Sequence, residues 1–304
     1  MASFIRPPRL RPGATIGIAA VSGPVPADRL AAGVRALETL GYRVRLAANV
    51  DDRVGFLAGS DEQRAAGYRA LLADRTVDAI FFARGGYGAS RVLRHLAVQE
   101  LRARPLIHLG ASDLTALFCF LAVHARLVCF YGPMPAVSMG SEEGLDWQRV
   151  LSGQPPAPHP IRAEDVLTPG VGAGPLVGGC LSLLASLAGT PEAVSAKGSV
   201  LFWEDVGEEA YRMDRMLTQL ERSGTFDGLQ GMIVGSISPG ARGGDESLQT
   251  VGAWLRDRFA GAPFPVVRGL PAGHLSRPRT LPLGVPVKLD TEGGSLEFSE
   301  AGVE

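Results

Sequence analysis

The chain predicts an α/β protein: an N-terminal doubly wound parallel sheet of the Rossmann or flavodoxin-like type, then a C-terminal mixed α+β domain. Three observations predict this class. Short apolar runs alternate with helix-period segments through the first half, the pattern of successive βαβ units. The run 77–82 is continuously apolar, as a strand covered on both faces of a parallel sheet must be. Beyond a stretch rich in proline and glycine, strands and helices continue in a mixed order.

The elements follow in order. Residues 14–20 read as a buried strand, and Ser22-Gly23-Pro24 turns the chain. Residues 27–40 place Leu30, Val34 and Leu37 on one helical face, and Gly41 stops the helix. A strand at 42–46, a helix at 61–74 and the strand at 77–82 follow. Arg84-Gly85-Gly86-Tyr87-Gly88 then opens a helix reaching Leu96. Residues 105–110 read as a strand. Residues 113–125 carry Leu114, Leu117, Phe118, Leu121 and Ala122 at helical spacing, and 127–131 is the next strand.

The division expected is a domain over 1–151, a linker over 152–174 containing five prolines (Pro155, Pro156, Pro158, Pro160 and Pro169), and a domain over 175–304. In the second half, 181–187 reads as an apolar helix and 200–203 as a strand ending in Glu204-Asp205. Helices are expected at 211–223 and 248–259, with strands at 232–234, 281–290 and 295–298.

Bulk composition narrows the function. With 304 residues, 46% hydrophobic and 20% charged, the chain has material for a sizeable core. A net charge of -1 recommends neither nucleic acid nor an anionic membrane as partner. No apolar run is long enough to span a bilayer. The prolines and glycines at 7–17 make a poor signal helix, so a cytoplasmic protein is expected. Cys119, Cys129 and Cys180 lie scattered in apolar runs and read as buried thiols. The only lysines, Lys197 and Lys288, fit neither a P-loop nor a Ser–Lys pair. The five histidines form no zinc-ligand pair, and no metal or organic cofactor is expected.

Chemistry concentrates at three places. Gly110-Ala111-Ser112-Asp113 leaves little room between strand and helix. A serine there stands at a helix N-terminus, where free N–H groups favour negative charge. Ser112 or Asp113 as a simple N-cap is the alternative. The Gly85-Gly86 loop is either a ligand cradle or a bare turn; it lacks the third glycine of a dinucleotide fingerprint. Glu204 at a strand end and His274 in the loop Gly269-Leu270-Pro271-Ala272-Gly273-His274 are unremarkable singly. With Ser112 they are the parts of a nucleophile, base and orienting acid. Leu114 replaces the second glycine of Gly-x-Ser-x-Gly, so this is not an ordinary α/β-hydrolase elbow.

Several stretches, taken together, resemble the LD-carboxypeptidase family of serine peptidases. They are Ala83 through Gly88, Ser112-Asp113-Leu114-Thr115-Ala116 and Tyr131-Gly132-Pro133-Met134. Later come Gly178-Gly179-Cys180-Leu181-Ser182, Leu201-Phe202-Trp203-Glu204-Asp205-Val206-Gly207-Glu208, Tyr211-Arg212-Met213-Asp214-Arg215 and the loop ending at His274. The resemblance implies a Ser112–Glu204–His274 triad, with an oxyanion hole from the backbone N–H groups of Gly86 and Asp113. Gly85 and Tyr87 are further candidates for substrate contact. Cys180 stands where the family usually has asparagine. The implied reaction releases a terminal D-alanine from a murein tetrapeptide, and a homodimer is implied too. Within the family, immunity hydrolysis of a toxic peptide–nucleotide conjugate is the alternative. A two-lobed binding protein without catalysis is the alternative from another class.

Overall fold

The computed structural model describes residues 3–139, 146–239 and 248–304. The first half contributes strands β1 (Thr15–Ala19), β2 (Arg43–Leu46), β3 (Ala79–Phe82), β4 (Ile107–Gly110) and β5 (Cys129–Tyr131). The remainder contributes β6 (His159–Pro160), β7 (Val166–Thr168), β8 (Val171–Cys180), β9 (Val200–Glu208) and β10 (Gly231–Pro239). It ends with β11 (Val266–Arg268), β12 (Leu281–Leu283), β13 (Pro286–Asp290) and β14 (Ser295–Phe298).

The first sheet has the order β12-β5-β4-β3-β1-β2, and its β1 to β5 pairings are parallel. Leaving aside β12, this is the flavodoxin-like order. The sequence explains it: β1, β3 and β4 are buried at every position, so both faces must be covered by helices. The helix Asp61–Ala73 is fixed at its start by a capping box, Ser60 with Gln63. The strand order reverses between β1 and β3, and the crevice beyond their carboxyl ends is where such folds bind ligands.

The second sheet runs β6-β14-β13-β8-β9-β10-β11-β7, with a parallel centre from β8 to β11 and antiparallel flanks. The stretch 152–174 supplies its edge strands β6 and β7. Three local differences from the sequence reading matter. The expected helix 113–125 is three pieces: a 3-10 turn Ser112–Leu114, an α-helix Thr115–Phe120 and a π turn Leu121–Ala125. The strand expected to end at Trp203 continues to Glu208, so Glu204 lies inside β9 rather than at its end. The strand expected over 281–290 is split at Gly284 (φ +98°) into β12, in the first sheet, and β13, in the second. The chain thus returns to its first sheet late, and β12 pairs antiparallel with β5.

Candidate active site

The elbow is built by the backbone. After β4, Ala111 is extended (φ -155°, ψ -178°) and Ser112 then turns to φ +63°, a left-handed conformation costly for a residue with a Cβ. Strain of this kind costs on the order of 1–3 kcal/mol and persists only where the surroundings impose it. They do so here. The Ser112 N–H donates to the Tyr131 hydroxyl (2.9 Å). The Asp113 carboxylate, 1% exposed, accepts from the Ser22 hydroxyl (2.6 Å) and the Ala89 N–H (2.8 Å). Asp113 therefore caps the helix Ala89–Val92 across the crevice and not its own helix. No side-chain cap is made by Ser112 either.

The glycine loop closes against this elbow. A Cβ on Gly85 would sit 2.8 Å from Ser112 Cβ and 3.0 Å from its Oγ, so only glycine leaves the hydroxyl its place. Gly86, at φ +119°, packs on Gly23, whose N–H donates to the Gly85 carbonyl (3.3 Å). Among the described residues, no protein acceptor takes the N–H of Gly86 or of Asp113. Loop and elbow meet closely: the Gly85 Cβ position lies 3.3 Å from the Asp113 nitrogen. Tyr87 is 50% exposed and meets Phe56 edge-on, with ring centroids 5.6 Å apart.

The second sheet brings the ionisable side chains. Glu204 is fully buried in β9 and pairs with Cys180 of β8. Opposite it, β10 bulges at Gly235 and Ser236, as strands often do beside functional sites. Glu204 Oε2 accepts from His274 Nδ1 (2.7 Å) and from the His274 backbone N–H (3.1 Å). A carboxylate only accepts, so Nδ1 carries the proton and Nε2 is left with its lone pair. Gly273, at φ +115°, leaves no space for a Cβ between Glu204 and Ser236. The His274 side chain is 25% exposed and so reachable by a ligand. Burial alone would pull its pKa down, but the hydrogen bond and charge of Glu204, with Asp205 behind, outweigh that and hold it above its ordinary value.

Asp205, next along β9, does different work. Its carboxylate accepts the N–H groups of Ser182 and Val206, both at 2.8 Å, and so caps the helix Leu181–Leu187. Burial pushes its pKa up. Burial and the neighbouring charges of Asp205 and Glu204 push the Cys180 thiol well up, so it stays protonated; its Sγ lies 3.3 Å from the Ser182 hydroxyl.

The structure thus brings Glu204 and His274 into direct contact, and Gly85, Gly86, Ser112 and Asp113 into one wall. Among the described residues no hydrogen bond joins the Ser112 hydroxyl to His274. Their connection runs through Tyr131, whose hydroxyl accepts from Ser112 N–H and donates to Glu204 Oε1 (2.6 Å). Tyr131 belongs to one of the family-like stretches, but the sequence alone assigns it no role. The available signal was a tyrosine at the carboxyl end of the strand next to the one that leads into Ser112. Thr115 makes a second link between the sheets, accepting the Cys180 N–H (2.9 Å). A cavity of about 740 Å³ lies elsewhere, lined by Phe4, Val123, Val177, Val194 and Lys197, and none of the predicted site residues lines it. Among the described residues no group of three or more histidine, cysteine, aspartate or glutamate side chains could hold a metal ion. No described helix is long and apolar enough to cross a membrane.

Comparison with known proteins gives this arrangement a family. The model of the LD-carboxypeptidase N-terminal domain matches residues 16–132, and that of the C-terminal domain matches 173–289. The chain belongs to the LD-carboxypeptidase family. It is a hydrolase of the carboxypeptidase class. A putative carboxypeptidase of Streptomyces coelicolor is 40% identical, over 97% of this chain and 96% of the relative. A probable murein peptide carboxypeptidase of Bacillus subtilis is 32% identical, over 98% and 95%. The fold is shared with a solved mutant of the microcin C7 self-immunity protein in complex with adenosine monophosphate. There the TM-score is 0.88 at 22% identity, covering 99% of this chain and 100% of that one.

Proposed function

We propose that the protein cleaves an L-to-D peptide bond and releases a C-terminal D-amino acid, D-alanine, from a murein tetrapeptide during cell-wall recycling in the cytoplasm. One observation carries the reading: a fully buried carboxylate holds His274 by Nδ1 at 2.7 Å, which leaves Nε2 of a partly exposed side chain available as a base.

In this reading Ser112 Oγ attacks the scissile carbonyl carbon while His274 Nε2 takes its proton. Glu204 fixes the tautomer and stabilises the imidazolium. The N–H groups of Gly86 and Asp113, which no protein acceptor takes among the described residues, receive the oxyanion. Each such donor is worth on the order of 10²–10³ in rate. The C–N bond then breaks as the imidazolium returns its proton to the leaving amine. Water, deprotonated by the same imidazole, releases the acyl group from Ser112. Pairs of this kind commonly tighten only when substrate is bound, so the absent serine–histidine hydrogen bond is compatible with the chemistry.

The substrate assignment rests on family membership and on the murein peptide relative. The immunity reading draws on the shared fold and on the Escherichia coli microcin C7 self-immunity protein, 24% identical over 95% of this chain against 32% for the murein peptide relative. Trp147 is not available to stack on a nucleobase, since it is buried against Tyr42 and Phe81. Family membership leaves the non-catalytic binding protein without support. The homodimer remains part of the proposal, checked by sedimentation of the purified chain.

The deciding experiment is mass spectrometry of murein tetrapeptides of defined stereochemistry after incubation with the protein. The expected result is loss of the terminal alanine where an L-centre precedes it and it is D, and retention of an L-terminal residue. Intact tetrapeptide with cleavage of a peptidyl nucleotide would overturn the murein reading in favour of the immunity reaction.

A further inference from the structure

We propose that Tyr131 is a positioning residue that locks the Ser112 elbow of the first sheet to the Glu204 carboxylate of the second. The inference rests on the triad reading above. Its physical basis is the valence of one hydroxyl. A phenol has one proton to give and lone pairs to accept with. Here the proton goes to Glu204 Oε1 (2.6 Å) and a lone pair takes the Ser112 N–H (2.9 Å). Nothing else in the molecule bridges these two residues among the described hydrogen bonds.

Three consequences follow. Ser112 N–H is committed to Tyr131, which removes it from the set of oxyanion donors and helps hold the strained φ of +63°. The two oxygens of Glu204 are divided, Oε1 to the phenol and Oε2 to His274, which fixes the plane of the carboxylate. The phenol itself cannot drift, because its ring is 1% exposed and packs edge-on to Phe202 of β9 with centroids 5.5 Å apart. Burial first, then the Glu204 charge, raises its pKa well above the ordinary value, so it remains a donor throughout the working range.

The titratable groups facing the Glu204–His274 pair are Tyr131 from β5, Cys180 at the end of β8 and Asp205 on β9 itself. Cys180 is held neutral, and Asp205 is occupied with capping. Tyr131 is the one of the three that donates a hydrogen bond to the carboxylate. Removing that donor makes the deprotonated carboxylate less stable. The pair must then bind its next proton more readily, whichever of its members carries it.

The test is Tyr131→Phe, with 3-fluorotyrosine at position 131 as a variant that keeps the shape and strengthens the donor. For Tyr131→Phe, kcat on the murein tetrapeptide should fall about 10- to 100-fold, the size of a lost hydrogen bond to a charged group, with KM within about threefold. The His274 imidazole, followed by NMR without substrate, should titrate about half to one pH unit higher, and the fluorinated protein should titrate lower than wild type. Should Tyr131→Phe not fold, the fluorinated protein alone decides. An unmoved imidazole titration in whichever of the two variants folds overturns the inference. Because that readout needs no turnover, its failure is distinct from failure of the functional reading. The latter shows as a Ser112→Ala protein that still cleaves the peptide, or a wild type that never does.

Discussion

The two walls of the site are made from different materials. The wall beyond β1, β3 and β4 is backbone: N–H groups, a serine at positive φ, and glycines that let chains touch. The wall formed by β9 and the loop after β11 is side chain: a buried carboxylate and the imidazole it holds. A backbone wall depends on steric fit and tolerates no added atoms. A side-chain wall depends on charge and tolerates no isosteric neutralisation. Substitutions can therefore separate the two.

The largest effect should come where the walls must act as one. Ser112→Ala and His274→Ala should each lower kcat by about 10⁴–10⁶, with no further loss when combined, since groups acting as a unit are not additive. Full additivity in steady-state assays would mean that the two do not share a step. Next come the two glycines. Gly85→Ala puts a methyl 2.8 Å from Ser112 Cβ, and Gly273→Ala puts one against Glu204. Each should cost about 10²-fold or more in kcat, as expected when a reacting group is displaced by about an ångström. Only the second should disturb the imidazole titration, and the reverse pattern would dissolve the distinction between the walls.

The two capping aspartates give a smaller effect. Asp113→Ala strands the Ser22 hydroxyl and the Ala89 N–H, so urea unfolding should show a loss of about 1–3 kcal/mol together with reduced activity. Asp205→Asn keeps one acceptor for the N–H groups it caps and should cost about 1 kcal/mol or less while activity persists. If Asp205→Asn silences the enzyme and Glu204→Gln does not, the acid has been assigned to the wrong neighbour.

The mildest effect is in pH. In the proposed mechanism the base must be neutral, and Glu204 holds His274 above its ordinary pKa, so kcat/KM should fall on the acid side with a midpoint above about 6.5. Residual activity of Glu204→Gln should show that midpoint moved down. The linked stability runs in the opposite sense. A raised folded pKa stabilises the fold below about pH 6.5, and that contribution is lost as pH rises through the folded value. Unfolding curves of wild type and His274→Ala across that window measure it.

The difference between the walls also explains what could be read from sequence. Continuous apolar runs and glycine stops marked β1, β3 and β4, because burial on two faces leaves a simple signature. Glu204 and His274 were recognisable as residue types in order, and the family motifs raised them above their neighbours. The extent of β9 was not legible, since a strand that carries Glu204-Asp205 through its middle breaks the apolar pattern. The break of the π turn from its helix was hidden too, because 121–125 keeps helical spacing. Tyr131 and Asp113 were missed as cross-links for one reason. Their partners, Glu204, Ser22 and Ala89, are distant in sequence and meet only when sheets and loops are assembled.

The late return of β12 to β5 has a consequence for biosynthesis. A ribosome delivers β1 to β5 early, yet the outer edge of that sheet stays unpaired until residues 281–283 emerge. Until then the backbone of Cys129–Tyr131 offers open hydrogen-bonding groups to any passing strand, the exposure that chaperones shield during synthesis. A chain halted before Leu281 lacks β12 and would leave that edge without its native partner.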